Sequence, residues 1–137
     1  MIGIAAAAFV ALAALAFGFA RDRSFFPTLL IVIAFYYVLF GVIDGSPRVI
    51  ALETLVACAF IGLALWGFKR SLWLVVAGLF LHGVQDVFHG SLIPNQGVPH
   101  WWPDFCLSCD VAIAALLAWL LRQANANANV PVPRRPS

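Results

Sequence analysis

The chain has 137 residues, of which 64% are hydrophobic and 10% charged, and its net charge is +2 at pH 7. A mean hydropathy of +0.97 lies outside the balance of soluble domains and points to an integral membrane protein, while the few, scattered basic residues build no nucleic-acid surface. Three cysteines exclude a disulfide scaffold and leave at least one thiol unpaired within the chain.

Five apolar stretches, at roughly 2–20, 25–43, 48–68, 71–91 and 102–122, each reach the ~20 residues that a helix needs to span a hydrocarbon core. The first, "MIGIAAAAFVALAALAFGFARDR", ends in small residues near Ala20, as a secretory signal would. It has no basic segment before the apolar run, and its strong charge follows instead, so it reads as a retained span. The second carries Tyr36 and Tyr37, which suit packing or hydrogen bonding between helices. The third carries Glu53 near its start and Cys58, the latter read as a small packing residue. Spans four and five hold "LHGVQDVFHG" and "PHWWPDFCLSCD", joined by a Pro- and Gly-containing loop that suits an ordered interfacial cap. The expected architecture is an all-α, five-helix transmembrane domain over residues 1–122. The polar, Pro-rich "QANANANVPVPRRPS", residues 123–137, is expected to be a disordered cytoplasmic tail, whose "PRRP" suits anionic lipid heads.

Basic residues accumulate on the cytoplasmic side. Arg21, Arg23, Lys69, Arg70, Arg122, Arg134 and Arg135 follow spans one, three and five, and Arg48 alone falls on the opposite side. This places the N-terminus outside and the C-terminus in the cytoplasm of a multi-pass cell-membrane protein, with a bacterial inner membrane the expected location. Trp66, Trp73 and Trp119 then mark one interface, and Trp101 and Trp102 the other. Asp44, Glu53, Asp86, Asp104 and Asp110, with His82, His89 and His100, all fall toward the outer side, and only Asp22 lies inside. An ionisable group near a bilayer centre costs about 2.5–3.5 kcal/mol on insertion scales, so such groups face a bundle interior and seek partners. Counting depth at ~1.5 Å per residue sets His89 near Asp104, Asp86 near Cys106 and His82 near Asp110, with Glu53 about 8 Å below the outer end of span three.

His82, Asp86 and His89 stand at i, i+4 and i+7, within about 60° around a helix, with Gln85 beside them and Gly78 and Gly83 small enough to admit a neighbouring helix. Imidazole and carboxylate together suit Zn, Fe or Cu. The metal-ligand candidates are His82, Asp86, His89, Asp110 and Cys106; Glu53 and His100 could also supply a ligand. Asp86, Asp110 and Glu53 are the candidate general bases if a metal-activated species acts on a membrane-soluble substrate. No H-E-x-x-H signature accompanies them. In the simplest alternative the same polar groups only bond helix to helix. Glu53 either pairs with Arg48 at the surface or joins the stripe.

Pro103 and Asp104 mark the start of the fifth helix. Cys106 and Cys109 follow as C-x-x-C, a candidate redox or cofactor-binding pair: the helix N-terminus favours a thiolate, and Asp104 and Asp110 oppose it. "HGVQDVFHG" followed by "PHWWPDFC...D" resembles small bacterial multi-span membrane proteins of no assigned activity, which implies a membrane bundle and no reaction. In size and in Cys106 and Cys109 the chain is also similar to envelope thiol oxidoreductases that pass electrons to quinone, but it lacks their second cysteine pair. Three functional readings follow: a metal-binding pocket open to the outer side; an accessory or assembly subunit of a larger membrane complex or homo-oligomer; and a dithiol–quinone oxidoreductase.

Overall fold

The computed structural model describes residues 2–128, and all regular structure among them is helical. Five α-helices follow one another: α1 (Ile2–Ala16), α2 (Phe25–Asp44), α3 (Pro47–Lys69), α4 (Leu72–Leu92) and α5 (Trp102–Ala128), with a 3-10 turn at Phe19–Arg21. The last four are long and apolar enough to cross a membrane. α1 is shorter than the 2–20 stretch suggests, because Gly18 at φ 78° ends the helical run early. Its 15 residues rise about 22 Å, less than a ~30 Å hydrocarbon core. At the other end the helix runs past Arg122 to Ala128. The expected tail therefore begins as helix, since Gln, Ala and Asn continue a helix already nucleated upstream; its remainder, 129–137, including "PRRP", lies outside the described residues.

The connections follow from local chemistry. Asp22 accepts from the Ser24 backbone N–H at 2.8 Å and the Ser24 hydroxyl at 2.8 Å. These bonds, the backbone one first, hold the Asp22 carboxyl below its ordinary range. Arg23 Nε donates to the Phe68 carbonyl at 2.9 Å, tying this turn to the end of α3. Gly45, at φ 82°, closes α2 in the left-handed region, Ser46 turns the chain, and Pro47 opens α3 with the φ a first helical turn requires. Ser71 Oγ caps α4 by accepting from the Trp73 N–H.

α4 is the hub: it packs on α5, α3 and α2, while α1 lies against α5 and α2 pairs with α3. Small residues set the close approaches. A Cβ at Gly83 of α4 would stand 3.1 Å from Leu107 Cα of α5, so glycine lets these two backbones meet there without displacement. Toward the α3–α4 turn the core is wholly apolar, built from Leu30, Ala64, Val75, Leu79, Ile113 and Leu117. The outer surface is also apolar: Phe9 is 74% exposed, Leu55 68% and Phe88 57%. A surface of this kind is matched to lipid rather than water. The polar residues have moved inward, into the half of the bundle nearest the α4–α5 loop.

Candidate metal centre

Just beyond Leu79 the apolar core gives way to His82, Asp86 and Asp110, all nearly inaccessible. Helical periodicity carries His82 and Asp86 onto one face of α4, and the Gly83 contact brings that face against α5. His82 Nδ1 lies 2.8 Å from Asp110 Oδ2 and 3.6 Å from Asp86 Oδ2. The shorter contact is a hydrogen bond between the imidazole and the Asp110 carboxyl group. The Tyr37 hydroxyl of α2 donates to Asp86 Oδ1 at 2.7 Å. One ligand atom each from His82, Asp86 and Asp110 falls within 4.8 Å of the other two.

A second pair lies one to two turns nearer the loop. His89 Nε2 is 2.8 Å from Glu53 Oε1, and the same oxygen accepts from Asn95 Nδ2 at 2.6 Å. Glu53 is completely buried. It thus joins the stripe; no bond to Arg48 is formed among the described residues. Asp104, placed near the level of His89 by helical rise, is exposed, and the partner of His89 is Glu53. The Tyr37 ring links the two layers, stacked on His89 at 5.5 Å and tilted against His82 at 4.9 Å.

The metal-ligand candidates therefore divide. His82, Asp86 and Asp110 converge; His89 is committed to Glu53; Cys106 is buried beside Asp86 and Asp110 but outside the three-residue group. Cys106 and Cys109 are both free thiols, the second half-buried, and Cys58 is free on the exposed face of α3. His100 is exposed and helps line an outer cavity of about 790 Å³ together with Asp44, His89 and Asn95. Gln85 is half-buried and makes no side-chain bond within the described residues.

Of the two tyrosines read as packing or bonding between helices, Tyr37 makes the bond to α4, and only the packing of α2 on α4 distinguishes it from Tyr36. One contributor has no signal in the sequence. Asn95 belongs to a loop whose sequence reads as a plain interfacial cap, with nothing to indicate that its amide reaches Glu53.

The electrostatics are the unusual part. Three carboxylates are buried together, and among the described residues no Lys or Arg pairs with any of them. Glu53 Oε2, Asp86 Oδ2 and His82 Nε2 are buried without any hydrogen-bond partner. Buried acceptors without partners are costly, of order 1–3 kcal/mol each and more when charged. Such a centre calls for protons or a cation to offset it, and the donor set of one imidazole and two carboxylates fits a divalent transition metal. No protein-family model, curated protein or solved structure matches the chain, so its function is to be read from the chemistry of this centre.

Proposed function

We propose that the protein is a polytopic membrane protein holding one transition-metal ion at His82, Asp86 and Asp110, with the α4–α5 loop facing the outer side of a bacterial inner membrane. The observation that carries this reading is the group of three buried ligand atoms within 4.8 Å of one another, two of its residues bearing polar atoms with no partner. The distribution of Lys and Arg supports the orientation. Zn, Fe or Cu suit the donors. Such an ion would supply Lewis acidity and lower the pKa of a bound water.

The chain's own residues have separable tasks. His82 and Asp110 share a proton that loading of the site would expel, since ligands bind metals deprotonated. Tyr37 orients Asp86 by donating to one of its oxygens, leaving the other free to bind or to accept a proton as general base. His89, bonded to Glu53, lines both the crevice beside this centre and the outer cavity. The bundle excludes bulk water, which strengthens each of these interactions.

Metal analysis of protein purified in mild detergent without chelators tests the reading. The expected result is about one ion per chain, lost in His82→Ala and Asp110→Asn but retained in Cys109→Ser. Folded protein that takes up no Zn²⁺, Fe²⁺ or Cu²⁺ on titration would overturn it and leave the polar groups as bonds between helices.

A further inference from the structure

Two cavities beside the centre share a wall. One is the narrow crevice between α2 and α5 into which His82 and Asp86 face, with a free volume of about 10 Å³, room for about one water. The other is the outer cavity of about 790 Å³ under the α4–α5 loop, where Asp44, Asn95, Gln96 and His100 form part of the lining. His89, Val98 and Pro103 line both and so form the partition between them. The rim of the outer cavity is moored to two helices: the Gln96 N–H donates to Asp44 Oδ2 of α2 at 2.9 Å, and Asn95 Nδ2 to Glu53 Oε1 of α3 at 2.6 Å.

We propose that the outer cavity is the port of the metal centre, in which a hydrated divalent cation collects before it passes His89, Val98 and Pro103 to reach His82, Asp86 and Asp110. This route presupposes the metal reading above and adds to it the face from which the ion comes.

Solvation decides between the possible ways in. An ion that enters apolar surroundings gives up its water with nothing in exchange, which is prohibitive. From the α3–α4 end the way is filled by Leu30, Val75, Leu79 and Leu117, all buried. From the bilayer it runs between Tyr36 and Trp102, whose rings are 5.0 Å apart, and begins in hydrocarbon. The outer cavity differs in size and in lining. A divalent ion with about six waters occupies roughly 200 Å³, at ~30 Å³ per water, so it fits there with its shell intact and must shed that shell before the crevice. Asp44 lines this cavity and no Lys or Arg does, so a cation is not repelled. His89 is the single polar side chain of the partition, and beyond it three ligand atoms within 4.8 Å of one another replace the water that is lost.

Val98 gives the means of testing this, because it belongs to the partition and not to the centre. In a Cys58→Ser, Cys109→Ser background, Val98→Cys is to be compared before and after reaction with a bulky charged methanethiosulfonate. Zn²⁺ uptake and release are followed with a chromophoric chelator, and affinity is measured by competition. Blocking the port should slow uptake and release by the same factor, at least about tenfold, and leave the affinity as it was, since the affinity is the ratio of the two rates. Val98→Ala should speed both. The same reagent on Ser91→Cys, exposed on α4 and outside the cavity lining, should change neither, and the background protein, which keeps the buried Cys106, controls for reaction there. Unaltered exchange rates in fully modified Val98→Cys protein would overturn the route. A fall in affinity would overturn it too, making Val98 a support of the centre and not part of a passage. Background protein that binds no Zn²⁺ would overturn the metal reading itself and the route with it.

Discussion

His89→Leu is expected to lower the stability of the folded protein by about 3 kcal/mol or more, seen as an earlier unfolding transition in SDS or on heating in mild detergent. Glu53 is fully buried, one of its oxygens is shared by His89 and Asn95, and the other has no partner. Leucine removes the donor that balances the carboxylate and leaves a single amide in apolar surroundings. Breaking a buried charged pair from one side costs about 3–5 kcal/mol, mostly the penalty of the charge left behind. Adding Glu53→Gln should restore most of the loss, because an amide needs no counter-charge. A loss below about 1 kcal/mol in the single variant would show that the His89–Glu53 bond does not hold this part of the bundle together. Metal content should survive all of these changes, since neither residue belongs to the convergent group.

Gly83→Val is expected to cost about 1–3 kcal/mol and to weaken zinc binding about tenfold or more, measured by competition with a chromophoric chelator. The Cβ alone would lie 3.1 Å from Leu107 Cα and 3.3 Å from Asp110 Cβ. A branched side chain must therefore push α5 away from α4, an overpacking of the usual cost. The push falls at the level where His82 meets Asp110 at 2.8 Å, so the centre loosens with the helices. Displaced supporting groups commonly cost metal sites 10–100-fold in affinity, by order of magnitude. Gly62→Ala is the control: a Cβ there meets nothing within 4 Å, and both properties should stay as they are. Unchanged zinc affinity in Gly83→Val would mean that the ion's ligands do not straddle α4 and α5.

How much of this was legible beforehand depends on which coordinate is asked about. Depth is fixed by the constant rise of a helix, so counting from the span ends set His82 level with Asp110, and the two side chains do touch. Azimuth is fixed by packing, which a sequence without homologues does not disclose. That is why a shared level with Asp104, which is exposed, says nothing of the partner His89 takes, Glu53 on another helix. The helical stretches were readable from apolar runs; their ends were less so. Gly18 cuts α1 short, and α5 continues through residues whose composition reads as tail. The polar stripe of α4 stood out because its residues are anomalous in an apolar helix. The tyrosines of α2 read as bonding between helices without a partner to name, and Asn95 did not stand out, since an asparagine in a loop is ordinary until a partner is known.

The bonds of the centre also bear on how the chain assembles. α2 and α3 form one tight hairpin, and α4 and α5 a second. The His82–Asp110 bond lies within the second hairpin, whereas Tyr37–Asp86 and Glu53–His89 cross between the two. In lipid, apolar faces slide past one another with little penalty, because the tails outside are as apolar as the side chains within. Polar crossing bonds do not slide. A slip of one helical turn, about 5.4 Å, would strip partners from Glu53, Asp86 and His89 together. The same residues that make the pocket therefore act as a gauge of registration, permitting the two hairpins to lock at one relative height.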